Sequence, residues 1–387
     1  MDTPALRDLI PAAMRMTYLN TGWNGPSPTP VIDAIKQRLE FENENGPTSL
    51  EVRETGIEIR EKSQAAVAEL VNADSSEIHL TENTTDGINV VMSGLPWRKG
   101  DEIITCSLEH ASILVPSYYS QTTHGTKVKV LQLDPAETHE SVLDKVTAAI
   151  TDRTRMVFLS HIEFSSGVRM PIKAISEITR PRGIWLLVDG AQGPGHVRAD
   201  VSDLGCDFYA MSGQKWLLGP DGTGALYIRR EMIPTVRPVR VSSHAVTSHD
   251  HLGNYELKED DIDKYVVSTS SLALRAGFLE AVRIHLAAGP ETIESHNMDL
   301  ASRLKAALVE LPGVRVLSPL EGPECTGLVT FYVEGEDQRV AAESLWNAER
   351  VLVRSVPYPS GIRASMHYFN TQEDADKLVS ALKEVVP

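Results

Sequence analysis

The chain reads as an α/β protein: a mainly parallel seven-stranded sheet with helices on both faces, then a smaller C-terminal α+β part. Two observations predict this. From Glu77 to Arg229, short apolar runs alternate with helix-like stretches, the pattern that parallel strands joined by crossover helices leave in a sequence. After a polar stretch at 238–264 the alternation stops, and fewer strands and longer helices follow.

The strand-like runs are Glu77–Leu80, Glu102–Cys106, Lys127–Leu131, Arg155–Ser160, Ile184–Asp189, Phe208–Ser212 and Ala225–Arg229. Each is short, apolar and bounded by glycine or charge, as buried strands are. Helices are expected between most of them, at Thr84–Leu95, Ser141–Ile150 and Pro171–Arg180. Pro238–Lys264 holds His244, His249 and His251 and the run Glu259-Asp260-Asp261-Ile262-Asp263; it reads as a long exposed excursion, which is uncommon unless functional. A long helix is expected at Ser271–Ala288. Beyond it come strands at Gly327–Val333, Val351–Arg354 and Ile362–His367 and helices at Gln338–Glu349 and Thr371–Val385. The expected division is an N-terminal segment, 1–16, packing with the small domain, a large ligand-binding domain, 17–264, and a small C-terminal domain, 265–387.

Composition narrows the function classes. With 387 residues and 42% hydrophobic content the chain is globular, and a net charge of −16 argues against nucleic acid or anionic lipid as a partner. Cys106, Cys206 and Cys325 are too few and too scattered for a disulfide framework or a zinc site. No metal is expected at the three loop histidines, whose spacing fits no helical ligand pair. The first residues lack the basic and apolar regions of a signal peptide and no apolar run is long enough to span a bilayer, so a reducing cytoplasm and no membrane are expected.

Chemistry concentrates at strand ends. One buried run ends in Val188-Asp189-Gly190-Ala191-Gln192, another in Met211-Ser212-Gly213-Gln214-Lys215-Trp216. They deliver a carboxylate and an amine to the sheet edge where α/β folds keep their ligands. A carboxylate for a heterocyclic nitrogen and a lysine able to form an imine are what pyridoxal phosphate chemistry requires. Gln192 is placed to bond the ring oxygen. His110, just past another strand, offers a flat ring for stacking. Thr84 and Thr85 open a helix after a strand, so amides and hydroxyls converge there as a phosphate requires. Arg363 interrupts an apolar strand and suits bidentate capture of a carboxylate, with Arg354 near it in sequence. A nicotinamide-binding domain is excluded, because no Gly-x-Gly-x-x-Gly follows the first strands.

These motifs, with Tyr18-Leu19-Asn20-Thr21-Gly22 and Arg363-Ala364-Ser365, resemble the class V aminotransferase-like enzymes of pyridoxal phosphate fold type I, the group containing the cysteine desulfurases. The resemblance implies that Lys215 is the Schiff-base lysine, Asp189 the partner of the ring nitrogen, Gln192 the neighbour of the ring oxygen and His110 the stacking residue. It implies a phosphate cup of Thr84, Thr85 and Ser212, with Gln214 in place of the usual histidine. It further implies that Thr269 reaches the phosphate of a neighbouring subunit, that Arg363 holds the substrate carboxylate, and that a homodimer shares its active sites. Within the group, Asn20-Thr21-Gly22-Trp23-Asn24-Gly25-Pro26 and the span from Arg354 to Arg363 look like the substrate-binding segments of cysteine/cystine C–S lyases, which assigns Gly22, Trp23, Arg354 and Arg363 to the substrate. Residues 355–362 lack the loop cysteine on which desulfurases receive sulfur. Ser165 stands where asparagine is frequent near the ring oxygen. The expectation is β-elimination on cysteine, cystine or an S-substituted cysteine, giving a thiol or persulfide, a keto acid and ammonia. Aminotransfer, epimerisation and a desulfurase-like reaction without the loop cysteine are the alternatives.

Overall fold

The computed structural model describes residues 2–385. Its centre is a seven-stranded sheet in the order Ile78–Thr81, Gly224–Ile228, Phe208–Ser212, Trp185–Asp189, Thr154–Ser160, Glu102–Cys106, Lys127–Leu131. Gly224–Ile228 runs antiparallel to both neighbours, and the other pairs are parallel. Side chains in a strand alternate between faces, and here both faces are covered. Val157, Leu159, Leu186 and Val188 pack into one core; Met156, Phe158, Trp185 and Leu187 pack into the other. That double burial explains why the strands read as unbroken apolar runs.

The parallel strands end on one side, so Cys106, Ser160, Asp189 and Ser212 collect along one edge. Ser160 lies in register with Asp189, and Asp189 with Ala210 on the next strand. On the far side of the lysine loop, helix Leu272–Ala288 packs against helices Thr29–Asn45 and Leu50–Val71. Ser271 caps it by accepting from Leu274 N.

A second, antiparallel sheet has the order Val314–Val316, Leu328–Val333, Ser360–Ser365, Arg354–Pro357. Helices Pro290–Val309, Gln338–Glu349 and Gln372–Val385 cover one face through Leu300, Leu304, Leu345 and Leu378. Thr17–Tyr18 pairs in parallel with Val351–Leu352, and Arg7 meets Asp374 at 2.7 Å.

Three expectations are corrected. The run Val351–Arg354 is two strands, because Val351–Leu352 pairs with the N-terminal segment while Arg354–Pro357 pairs with Ser360–Ser365. The first strand begins at Ile78, since Glu77 closes a short helical turn whose capping box joins it to Asp74. Residues 238–264 are mostly exposed but not featureless: Val246–His249 and Tyr255–Leu257 form a hairpin.

Gly190 marks how tightly the sheet edge is packed. A Cβ there would fall within the ring of Tyr209 on the neighbouring strand. Overpacking of this kind costs about 1–3 kcal/mol. Gly190→Ala is therefore expected to lower the unfolding midpoint by several degrees in a thermal melt.

Candidate active site

One cavity of about 610 Å³ opens at the collected strand ends. Asn83, Thr84, Thr85 and Asp86, the cap and first turn of helix Thr84–Gly94, line one side of it. Asn83 accepts from Asp86 N and holds that turn in place. His110, Ser112, Ser160, Phe164, Asp189, Gln192, Ser212, Gln214 and Lys215 line the floor and walls, and Gly22, Trp23, Arg354 and Arg363 line the rest.

Lys215 lies three residues beyond the end of its strand, not at the strand end as the sequence suggests. Gly213 N donates to Thr223 O and Gly219 N to Gly213 O, and these bonds close the turn that presents it. Gly25 N donates to Gln214 O at 2.7 Å, so the N-terminal loop braces the same turn. Burial, aided by Arg363 and Arg354, lowers the Lys215 amine to about 8 against the pull of Asp189. Asp189 is buried and its Oδ1 accepts from Ala191 N at 2.8 Å. Burial raises its carboxyl, and Lys215 opposes that rise.

His110 caps helix Ala111–His124, its Nδ1 accepting from Ser112 N at 3.1 Å. That bond leaves the proton on Nε2, and burial lowers the ring to about 4, so it is neutral at physiological pH. Phe164 meets it edge-on, with centroids 5.0 Å apart. Gln192 is fastened at both ends: Trp216 Nε1 donates to its Oε1 at 2.6 Å and its Nε2 donates to Gly22 O at 2.9 Å. One Nε2 proton is left for a ligand.

Arg363 is fully buried on the strand Ser360–Ser365. Its Nη1 donates to Phe164 O at 2.6 Å, while Nε and Nη2 have no partner. Burial and Arg354 lower it to about 9. Arg354 pairs with Arg363 across the hairpin, and its guanidinium lies 4.3 Å from the ring centroid of Trp23. Trp23 is 56% exposed and stands at the cavity mouth.

Two residues singled out in the sequence lie outside this cavity, which for Thr269 accords with a role at a neighbouring subunit. Thr269 lines a neighbouring cavity of about 400 Å³ with Arg60, Arg240 and Arg275; it adjoins the first at Asp86. Ser165 is buried behind Phe164 and is not part of the cavity lining. Among the residues that the cavity adds to the expected set are Ser112, Ser160, Phe164 and Asp221. Ser160 carried the same signal as Asp189 and Ser212, the last residue of an apolar strand. Asp221 and Phe164 carried none, because only the fold brings their loops to the cavity.

The cavity fits pyridoxal phosphate. Thr84 Oγ1, Ser212 Oγ and Gln214 Oε1 are buried and unpaired around it. Leaving such atoms unsatisfied costs about 1–3 kcal/mol each. Two hydroxyl donors beside a helix N-terminus suit a phosphate, and Asp189 and Lys215 offer an acid for a ring nitrogen and an amine for an aldehyde.

A fold and cavity of this kind define a pyridoxal phosphate enzyme of fold type I. Residues 18–378 match the family model "Aminotransferase class-V", and the chain belongs to that family. A probable cysteine desulfurase of Methanothermobacter thermautotrophicus is 31% identical over 99% of this chain and 96% of its own. An isopenicillin N epimerase of Amycolatopsis lactamdurans is 28% identical over 98% and 97%. The solved cystine C–S lyase C-DES, in complex with its product cysteine persulfide, superposes with TM-score 0.92 and 28% identity over 98% of this chain and 100% of that one. A variant of the same lyase holds glycine covalently linked to its pyridoxal phosphate. Among the described residues no helix is long and apolar enough to cross a membrane.

Only the neutral amine adds to an aldehyde. Capture of pyridoxal phosphate by the apoprotein, followed by stopped-flow absorbance, is expected to accelerate about tenfold per pH unit and to level off near pH 8. A lysine at the ordinary 10.5 would keep accelerating past pH 10.

Proposed function

We propose that the chain catalyses β-elimination on cysteine, cystine or an S-substituted cysteine, giving a thiol or persulfide, a keto acid and ammonia. The observation that carries this is the joining, in one cavity, of an amine at about 8, a buried acid and a buried guanidinium with two unpaired nitrogens. Bound pyridoxal phosphate supplies an aldehyde for the substrate amine and a protonated ring that draws electrons from Cα.

The residues supply the rest. Thr84, Thr85 and Ser212 donate hydroxyls to the phosphate beside the helix N-terminus, and Gln214 adds its amide. Asp189 holds a proton on the ring nitrogen. Neutral His110 covers the ring face without adding charge. Gln192 gives its free Nε2 proton to the ring oxygen. Arg363 takes the substrate carboxylate on Nε and Nη2, which orients the Cα–H bond. Lys215 Nζ then removes the Cα proton, and sulfur leaves Cβ with the bonding electrons. Arg354, stacked on Trp23 at the mouth and opposite Arg363 in the hairpin, adds a second cation on the substrate side.

The cysteines support a lyase rather than a sulfur carrier. Cys106, Cys206 and Cys325 are all buried free thiols, none lines the cavity, and residues 355–362 contain none. Sulfur therefore leaves with the product. Three free thiols also suit a reducing cytoplasm. On this reading 17–264 is the cofactor-binding domain and 265–387 the small domain. The protein is a homodimer in which the cavity carrying Thr269, Arg60, Arg240 and Arg275 faces the partner's cofactor phosphate.

Lys215→Ala is expected to lose the visible cofactor band and to lower turnover at least ~10³-fold. Arg363→Ala removes about 3 kcal/mol of charged hydrogen bonding, so kcat/KM should fall about 10²-fold. Cystine and cysteine thioethers should yield keto acid and ammonia in equal amounts without an amine acceptor, and the intact protein mass should stay unchanged. Inverted substrate recovered without keto acid would instead make the chain an epimerase, and a requirement for an acceptor would make it an aminotransferase.

A further inference from the structure

Behind the cavity wall lies a second set of chemistry-bearing side chains. Cys106 ends the strand Glu102–Cys106, Glu109 precedes the helix capped by His110, and Glu163 follows the strand Thr154–Ser160. All three are buried, and one ligand-capable atom from each lies within 4.8 Å of the others. Cys106 Sγ donates to Glu163 Oε1 at 3.3 Å and lies 3.6 Å from Glu109 Oε1.

The two carboxyls are not equivalent. Glu109 accepts from Ser160 on both oxygens, from N at 2.8 Å and from Oγ at 2.5 Å. Donors on both oxygens stabilise an anion. Glu163 Oε2 is buried without a hydrogen-bond partner. The charges that act most on the pair are each other and Asp189, all acids. Two adjacent carboxyls in a dry interior without a cation cannot both ionise, so one proton is retained between them.

The pair adjoins the site through the sheet. Ser160, clamped by Glu109, lies in register with Asp189 on the next strand, and both line the cavity. Cys106 touches the pair, Asp189 acts on it from the next strand, neutral His110 follows Glu109 in the chain, and Lys215, Arg354 and Arg363 lie beyond the wall, lining the cavity. A charge held this close in a water-poor interior acts strongly on its neighbours.

We propose that Glu163 holds a proton shared with Glu109, and that Glu109 carries a second negative charge behind Asp189 which helps to keep the cofactor's ring nitrogen protonated. Both are positioning residues; they touch neither substrate nor cofactor. The proposal rests on the assignment of Asp189 to the ring nitrogen. Burial, followed by Glu109 itself, pushes Glu163 well above the usual carboxylate range, whereas burial pushes Glu109 only to about 7 because the two bonds from Ser160 oppose it; Glu109 is therefore the member of the pair that ionises first as pH rises. Burial and the two carboxyls also hold the Cys106 thiol protonated.

The test uses the holoenzyme and two variants. In Glu109→Gln the remaining Glu163 stays neutral, the charge is lost, and the pH midpoint of the visible cofactor band should fall by about one unit. In Glu163→Gln the charge stays on Glu109 and the midpoint should not fall. Infrared difference spectra at neutral pH should show a protonated-carboxyl band in the wild type that Glu163→Gln lacks. Glu109→Gln with an unmoved midpoint, no such band in the wild type, or a stoichiometric metal ion lost with Glu163→Gln would each overturn the proposal. If one variant does not fold, the other and the wild-type infrared band still decide it. A wild type without any visible band on adding pyridoxal phosphate would instead remove the underlying functional reading, and the infrared result would stand apart from it.

Discussion

Asp189 and Lys215 reach the same cavity because the strands that carry them toward it are hydrogen-bonded neighbours in one sheet. Each is held away from water, and each resists charging for that reason: burial lifts the acid and lowers the amine. Their mutual attraction opposes both shifts, so each is partly restrained by the other. Moving the strand of Asp189 by one residue would turn its carboxylate to the opposite face, and moving its neighbour would shift the turn that presents Lys215. Register is therefore the constraint beneath the chemistry, and the double burial of the sheet is what fixes register.

The rest of the site is fastened to that pair by parts of the chain far apart in sequence. The N-terminal loop bonds to the lysine turn through Gly25 and to Gln192 through Gly22. Trp216, next to the lysine, is fully buried, bonds to Gln192, and stacks on His196 with centroids 3.6 Å apart. His196 then accepts from Gly327 N, beside the strand that pairs with Arg363's own. Arg363 thus sits on the second sheet yet faces the first. A cation buried without a counter-ion is costly, and an incoming carboxylate satisfies it. That unsatisfied charge is the main reason for reading the cavity as a site for an amino acid.

Sulfur chemistry in related enzymes branches at the fate of the sulfur atom. A carrier needs a mobile, exposed thiolate. Here the hairpin from Arg354 to Ser365 carries no cysteine, and Cys106, at the end of a neighbouring strand, is sealed among carboxyls that keep it protonated. The same carboxyls place acid behind Asp189.

The sequence by itself determined the sheet and the residues at its ends. Buried parallel strands must be apolar throughout, and their last residues must stop the run with something polar, so Asp189, Ser212 and Ser160 stand out against Val188, Met211 and Leu159. The helix opening at Thr84 was legible through its cap, which is local chemistry. Only the tertiary structure decided what depends on packing between distant segments: that Val351–Arg354 splits between two partners, that Ser165 lies behind the wall while Phe164 lines it, and that Thr269 faces another cavity. The Glu109–Glu163 contact belongs to the same class. No periodicity records it, because two loops 54 residues apart in number meet only after the strands between them have paired.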